Sequence, residues 1–230
     1  MKQSEFSEKF FEFASNHELL NRYKVDIYIP SQYEEDDLGW DMGFTDYVQL
    51  YFFQYKIVQQ YIRNPKSLIG DSFKFQLHMN SKGAYKQHNL LIYLNRMGFI
   101  ARYVVPDYIE MSTLKSLLYS SKVFTNVKFI TPNPLSSKKS HYINFDSTNV
   151  YQHSKEQEKL QTSTHNDIFS YEDVLSLREW NNDKKFLMDF IREDTGFMDK
   201  NHIKNPDTLI NKYLFDNKII MFALKEKIDE

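Results

Sequence analysis

The chain has 230 residues, of which 41% are hydrophobic and 26% charged, a composition typical of globular proteins that excludes disorder throughout. It contains no cysteine, so disulfides, thiolate catalysis and thiolate zinc sites are excluded, and its net charge of −2 argues against a generic nucleic-acid-binding protein. Charged residues stand where a signal peptide would have an apolar run, and no apolar stretch is long enough to span a bilayer, so we expect a cytoplasmic protein without a membrane partner.

Helical and extended patterns alternate through the first part of the chain. Phe6, Phe10, Phe13 and Leu20 recur near helical spacing and predict an amphipathic helix at 4–22. Alternating or continuous apolar patterns predict strands at 25–29, 38–44, 48–58, 73–77, 99–105, 126–131 and 141–145, the last at a sheet edge. Further helices are predicted at 84–97, ending at Gly98 as a C-cap, and at 112–121.

The C-terminal part differs in composition. Residues 147–170 are polar and lack periodicity, which predicts a linker or a surface excursion. Helical patterns return at 171–180, 184–192 and 207–217, and 219–224 suits either a strand or a helix. We therefore predict an α/β fold, with a mixed central β-sheet flanked by helices in residues 1–146, the linker, and a helical C-terminal extension at 171–230.

One motif suggests a chemical function. Gly39-Trp40-Asp41 is followed, after an interval of twelve residues, by Gln54-Tyr55-Lys56 at the end of an apolar strand. Side chains alternate along a strand, so we expect Gln54 and Lys56 to share one face, which Asp41 can approach across a turn. A carboxylate would bind a divalent cation, an amide oxygen would add a weak ligand, and a lysine would orient or help deprotonate bound water. As the alternative, Asp41 is a turn acid, and Gln54 and Lys56 are the solvated face of an edge strand.

These residues resemble the motif of the PD-(D/E)xK nuclease superfamily, specifically its Mrr-like restriction endonuclease branch, in which G-x-D precedes a strand bearing Q-x-K. The resemblance covers residues 5–105 and implies a restriction-endonuclease-like core. It also implies that Asp41 binds Mg²⁺ (or Mn²⁺), that Gln54 completes the site, and that Lys56 assists the attacking water. Gln54 stands where the superfamily usually has a carboxylate, so we expect weak metal binding.

The source of a second carboxylate is left open by the sequence. The family often adds a glutamate from the first helix, and Glu8, Glu12 and Glu18 all qualify. Glu34 and Glu35, just before the G-x-D motif, are the other source, and we assign Glu35 to the predicted metal site.

Charge is distributed unevenly along the chain. Residues 1–55 hold four basic and eleven acidic residues, whereas residues 56–102 hold eight basic residues and one acidic residue. An acidic metal pocket beside a phosphate-attracting surface would produce this asymmetry, and mutual neutralisation within one fold is the alternative. The predicted contacts with nucleic acid are Lys82, Lys86, His78 and His88. A partly buried structural role is the alternative for both histidines.

These observations lead to two hypotheses about function. The first is a metal-dependent nuclease that hydrolyses phosphodiester bonds of DNA with Mg²⁺ or Mn²⁺, in defence against foreign DNA. Its partner would be nucleic acid, and a homodimer is compatible with cutting both strands. The second is a non-catalytic binding or interaction protein that retains a nuclease-like fold and holds a partner through its aromatic, charge-polarised surface.

Overall fold

The chain has an α/β fold in which two β-sheets are flanked by helices, which confirms the predicted fold class. The structure, a computed structural model, describes residues 1–23, 26–28, 47–61, 72–77, 85–133, 142–145, 150–152, 158–159, 162–163, 178–193, 198, 206–217 and 219–225. The chain divides into two compact units. The first unit comprises Met1–Lys24 and Phe52–Phe169, and the second unit comprises Val25–Tyr51 and Ser170–Glu230. The sequence predicted three consecutive segments, 1–146, 147–170 and 171–230, whereas the second unit combines an early and a late segment of the chain.

Helices and mostly short strands make up the described residues. The helices are α1 (Glu8–Tyr23), α2 (Lys86–Arg96), α3 (Met111–Tyr119), α4 (Trp180–Glu193) and α5 (Pro206–Asp216), with a 3₁₀ turn at Phe124–Asn126. The first strands are β1 (Lys2–Gln3), β2 (Asp26–Tyr28), β3 (Tyr47–Tyr55), β4 (Gln59–Tyr61), β5 (Ser72–Gln76), β6 (Ile100–Pro106) and β7 (Val127–Ile130). The later strands are β8 (Tyr142–Phe145), β9 (Val150–Gln152), β10 (Glu158–Lys159), β11 (Thr162–Ser163), β12 (Arg178–Glu179) and β13 (Ile220–Lys225).

Helix α1 begins later than predicted and buries a different face. The Ser7 hydroxyl accepts a hydrogen bond from the Phe10 amide at 3.1 Å, which is the bond of an N-cap residue. Phe13 and Leu20 were expected on the apolar face, yet they are 61% and 44% exposed. The buried face carries Phe11, Ala14 and Leu19 together with several polar side chains. Because several residues on the buried face are polar, apolar spacing alone does not predict which face of the helix is buried.

Helix α2 ends as predicted. Gly98 has a φ of 87°, the left-handed conformation that glycine adopts without a steric penalty. The Phe99 amide donates to the Leu94 carbonyl at 3.1 Å, which satisfies a carbonyl of the last turn. The C-cap role of Gly98 is therefore confirmed, and the chain enters β6 directly after it.

The first sheet lies within the first unit and has the strand order β1-β4-β5-β8-β9-β10, with antiparallel pairing at each of these contacts. Strand β8 was predicted at a sheet edge, but it lies between β5 and β9. Phe73 of β5 is opposite Phe145 of β8, and their rings stack with centroids 5.5 Å apart. The edge prediction was wrong because the partner β9 lies in a segment whose composition is polar. Ladder hydrogen bonds join backbone groups, so polar side chains do not prevent pairing.

Residues 147–170, which were predicted as a linker or a surface excursion, therefore supply strands. Strands β9 and β10 extend the first sheet. Strand β11 pairs with β7 of the second sheet, with Thr162 opposite Ile130. All three are very short, and strands of two or three residues are too brief to show a periodic pattern.

The part of the second sheet that belongs to the first unit has the order β11-β7-β6-β3. Phe52 of β3 packs edge-on against Phe99 at 5.2 Å, and Phe53 packs against Phe129 at 5.6 Å. Phe75 of the first sheet contacts Tyr103 of β6 at 5.1 Å, so aromatic rings join the two sheets in one core.

The second unit combines an early and a late part of the chain. It contains Tyr47–Tyr51 of β3, with β13 and β2 following in the sheet order and β12 also pairing with β3. Strand β13 is antiparallel to β2, with Met221 opposite Tyr28. Helices α4 and α5 contact each other through Phe190 and Tyr213, whose rings meet edge to face at 6.1 Å. The segment 171–230, predicted as a helical extension, thus also contributes strands.

None of the helices in the described part of the chain combines the length and the apolar character needed to cross a bilayer.

Candidate active site

The end of β3 is the part of the predicted site that the structure describes. Residues Leu50 to Tyr55 of this strand are all at most 2% exposed. Gln54 is 1% exposed, and Lys56, the residue after the strand, is 4% exposed. They therefore do not lie on a solvated strand face, because both residues are buried.

Gln54 is held by helix α2. A buried amide is costly unless its polar atoms are hydrogen-bonded. The Gln54 Nε2 donates to Oε1 of Gln87 at 2.7 Å. Gln87 is the second residue of α2, so the helix start is fixed against the strand end by this bond.

Tyr55 is held by helix α1. Its hydroxyl donates to Oδ1 of Asn16 at 2.5 Å, and its ring meets Phe11 edge to face at 5.8 Å. Burial raises the pKa of Tyr55 well above its usual value, and the nearby charge of Glu12 raises it further. Tyr55 is therefore a neutral hydrogen-bond donor under all ordinary conditions.

Lys56 forms an ion pair with the first helix. Its Nζ lies 3.6 Å from Oε2 of Glu8, and the two side chains are 5% and 31% exposed. The Lys56 amide donates to the Val104 carbonyl of β6 at 3.1 Å, which fixes the backbone where the lysine leaves the strand. A buried ammonium requires an anionic partner to remain charged, and Glu8 supplies that charge at the boundary with solvent.

The partners of Gln54 and Lys56 do not support the prediction that the two side chains share one face. Gln54 bonds to α2, whereas Lys56 pairs with α1, as Tyr55 does. Strand β3 ends at Tyr55, and beyond a strand end the alternation of side chains no longer dictates their direction.

The three glutamates of α1 have different surroundings. Glu8 pairs with Lys56, and the charge of Glu12 acts on Tyr55. Glu8, Glu12 and Asn16 follow one another at intervals of four residues, so they form a polar stripe directed at the end of β3. Glu18 is buried elsewhere, where its Oε2 accepts the Phe124 amide at 2.7 Å and caps the 3₁₀ turn. Of the three, Glu8 is thus the carboxylate in contact with Lys56.

The remaining predicted site residues fall into two groups. Lys86 is the first residue of α2 and is half-buried beside Gln87. The others lie outside the described residues, namely Asp41, Glu34, Glu35, His78 and Lys82.

His88 has a structural position. It is 2% exposed, its Nδ1 lies 2.7 Å from the Tyr103 hydroxyl, and its Nε2 lies 2.8 Å from the Asn133 carbonyl. Burial lowers the pKa of His88 to about 4, and the bond to Asn133 opposes this effect. The predicted contact of His88 with nucleic acid does not agree with this placement, because both ring nitrogens already bond to protein groups and the ring is neutral. His88 is instead a buried structural histidine, which is the alternative that the sequence left open.

Within the described residues, no group of three or more His, Cys, Asp or Glu side chains could hold a metal ion. The carboxylate paired with Lys56 in this part is that of Glu8. Mg²⁺ is usually held by one or two carboxylates together with water and substrate oxygens. Asp41 and Glu35, the predicted carboxylate ligands, lie outside the described residues.

Two residues of the site were missed by sequence reasoning. Gln87 and Asn16 hold Gln54 and Tyr55 from 33 and 39 residues away. The spacing of Glu8, Glu12 and Asn16 could have revealed the polar stripe on α1. Nothing in the sequence signals that Gln87 would reach Gln54, because hydrophobic spacing does not describe contacts between amides.

No protein-family model matches the chain, and searches of curated proteins and of solved structures also find no significant match.

Proposed function

We propose that this chain is a metal-dependent nuclease that hydrolyses phosphodiester bonds of DNA. The observation that supports it is the buried Lys56 at the end of a core strand, paired at 3.6 Å with Glu8 of the first helix. A lysine that follows a core strand and a glutamate from the first helix are features that the PD-(D/E)xK resemblance implies. The same resemblance implies a role against foreign DNA.

The proposal assigns a role to each residue. Asp41, Gln54 and Glu35 would hold Mg²⁺ or Mn²⁺, with Glu8 as a further carboxylate at the same strand end. The bound ion would supply positive charge to the phosphate and lower the pKa of a water molecule. Lys56 would orient that water, and Glu8 would keep the ammonium charged and fixed in direction.

DNA binding would depend on Lys82 and Lys86 of the basic segment 56–102, which would contact phosphates. Lys86 lies in the first turn of α2, next to the residue that bonds to Gln54. A phosphate at Lys86 would therefore lie near the end of β3. Pairing of two copies would allow cleavage of both strands.

The test is cleavage of supercoiled plasmid and of single-stranded DNA with Mg²⁺ or Mn²⁺. Lys56→Met and Asp41→Ala should each lower the rate by about 10²-fold or more, as for loss of a group that handles the proton of the attacking water. Lys74→Met is the matched control, since Lys74 is another buried lysine, on β5, and should keep the activity. Circular dichroism would verify that each variant is folded. Full cleavage by Lys56→Met, or no cleavage by the parent protein, would contradict the proposal.

A second candidate is a non-catalytic interaction protein. It is favoured by the burial of Gln54 and Lys56, because their polar groups bond to Gln87 and Glu8. In that case Lys56→Met would lower stability, and the parent protein would show no metal-dependent cleavage. Metal-independent DNA binding with no cleavage would select this candidate.

A further inference from the structure

The end of helix α3 exposes an aromatic ring. Tyr119, the last residue of α3, is 87% exposed, more than any other large hydrophobic side chain among the described residues. Lys115 lies one helical turn before Tyr119 on the same face, and Lys122 follows three residues after it. Both lysines are exposed. We call these three residues the Tyr119 surface.

The backbone is fixed where the chain leaves α3. The Ser121 amide donates to the Leu118 carbonyl at 3.2 Å. The Lys122 amide donates to the Leu117 carbonyl at 2.9 Å, and the two bonds together form a Schellman turn. Glycine usually occupies the left-handed position of this turn, but here that position is Ser121, with a φ of 52°. A serine in this unfavourable conformation indicates that the surrounding contacts determine the path of the chain.

The segment after the turn is anchored to the core. Phe124 is fully buried, and its amide donates to Oε2 of Glu18 on α1 at 2.7 Å. The Lys122 carbonyl accepts a hydrogen bond from the side-chain amide of Asn126 at 2.7 Å. The backbone of Lys122 is therefore held by bonds to the residues before it and after it. A surface on such a frame loses little conformational entropy when it binds a partner.

The charge along this part of the chain has one sign. Residues 111–145 include five lysines and no acidic residue. The acidic residues that precede them, Asp107 and Glu110, come before the first residue of α3, whereas Tyr119 is at the other end of the helix. Positive charge without neighbouring acids attracts a polyanion, so the partner that complements the Tyr119 surface carries phosphates.

We propose that the Tyr119 surface binds single-stranded DNA, with an unpaired base stacked on the Tyr119 ring and the adjoining phosphates at Lys115 and Lys122. Surfaces that bind single strands combine aromatic rings with positive charge, because every base has a face that can stack. In a duplex the bases are stacked on one another, and exposing one costs energy, so the ring should add little to duplex binding. The choice of DNA rests on the proposed nuclease function, whereas the binding itself does not require the metal site.

The experiment measures the affinity of the full chain for labelled oligothymidylate by fluorescence anisotropy, with EDTA present to prevent cleavage. Tyr119→Ala should weaken binding about ten-fold, as removal of one stacking ring does. Tyr119→Phe keeps the ring and should retain the affinity. The matched control is Phe13→Ala, which removes a ring that is 61% exposed on α1, within the acidic segment 1–55, and should have no effect.

A strand of the same length without bases separates stacking from charge. It keeps the phosphates but offers nothing to stack on, so the parent protein and Tyr119→Ala should bind it equally. A duplex of the same length should also respond little to Tyr119→Ala. The double change of Lys115→Gln with Lys122→Gln should lower the slope of log K against log salt by about 1.4, since each phosphate contact with a single strand contributes about 0.7.

Three outcomes would overturn the inference. The first is equal affinity of the parent protein and Tyr119→Ala for oligothymidylate, or an equal loss on the strand without bases, which would show an effect on the fold. The second is tighter binding of oligouridylate than of oligothymidylate, which would overturn the choice of DNA. The third is a dimer that Tyr119→Ala converts to monomers in sedimentation experiments, because the surface would then bind a second copy of the chain.

The cleavage assay separates this inference from the proposed nuclease function. Binding of oligothymidylate through Tyr119 by a protein that does not cleave DNA would support the inference and contradict the nuclease. Metal-dependent cleavage by a protein whose single-strand affinity does not depend on Tyr119 would support the nuclease and overturn the inference.

Discussion

His88 shows how a buried polar residue is satisfied in this core. Burial raises the pKa of Tyr103 well above its usual value, so its hydroxyl is a neutral donor to Nδ1. The Nε2 proton is then donated to the Asn133 carbonyl. Both ring nitrogens are satisfied only when the imidazole is neutral, because a protonated Nδ1 can no longer accept the Tyr103 hydrogen bond.

We predict that His88 makes stability depend on pH. Its pKa falls from 6.5 to about 4 on folding, so the unfolded chain binds more protons between these values. The contribution of His88 is complete above about pH 6.5 and is lost as the pH falls to about 4, with a total of about 3 kcal/mol. Urea unfolding should show that the stability difference between the parent protein and His88→Gln shrinks by about this amount from pH 7 to pH 4.

The control for this prediction is His17→Gln, because the side chain of His17 is exposed on α1. The pH dependence of this variant should parallel that of the parent protein. A constant difference between the parent protein and His88→Gln across this pH range would show that His88 is not buried as a neutral base.

At the scale of elements, α1 is the helix that organises the first unit. Its Glu8 forms an ion pair with Lys56, its Asn16 accepts a hydrogen bond from Tyr55, and its Glu18 accepts one from the Phe124 amide. These contacts link the helix to the end of β3 and to the 3₁₀ turn, which are distant in sequence. The inner face of α1 is therefore defined by polar contacts as much as by apolar ones.

We predict that Glu18 is important for stability. The bond from Glu18 Oε2 to the Phe124 amide is 2.7 Å long and buried, and hydrogen bonds to charged groups contribute about 1.5–3 kcal/mol. Glu18→Ala should lower the free energy of unfolding by about 2 kcal/mol, whereas Glu18→Gln, which keeps an acceptor, should lower it less. Denaturant unfolding provides the measurement.

Glu193→Ala is the matched substitution for comparison, because Glu193 is exposed at the end of α4. It should change stability by less than about 0.5 kcal/mol. Similar effects of the Glu18 and Glu193 substitutions would argue that the capping bond does not stabilise the 3₁₀ turn.

At the scale of the whole molecule, the uneven charge distribution is partly neutralised inside the fold. Glu8 belongs to the acidic segment 1–55 and Lys56 to the basic segment 56–102, and the two pair directly. This contact is an instance of the mutual neutralisation considered from sequence. The nucleic-acid surface of the proposed nuclease must then come from other basic residues of the segment.

We predict that affinity for DNA depends on Lys82 and Lys86. Each lost phosphate contact lowers the slope of log K against log salt by about 0.7–0.9, so the double change to Glu should lower it by about 1.4–1.8. Fluorescence anisotropy at several salt concentrations would measure this slope. The matched control reverses Lys9 and Lys185, which are exposed on α1 and α4, and should leave the slope unchanged. Affinity of the parent protein that does not vary with salt would contradict the prediction.

The sequence by itself determined most of the helices and strands of the described chain. The patterns for α2, α3, β3, β5, β6 and β7 agree with the observed elements within a few residues at each end. The Gly98 cap was also predictable from the sequence, because a helix end depends on residues adjacent in the chain. Local spacing carries this information since the side-chain directions of helices and strands repeat every few residues.

The tertiary structure alone decided which partners these elements have. It placed β8 inside its sheet, grouped the C-terminal segment with residues 25–51, and turned Phe13 and Leu20 outward. At the candidate site it joined Gln54 to Gln87 and Lys56 to Glu8. These contacts connect residues that are far apart in the chain, and their energies depend on burial and on hydrogen-bond geometry. Neither quantity has a value until the chain is folded, so spacing along the sequence could not supply them.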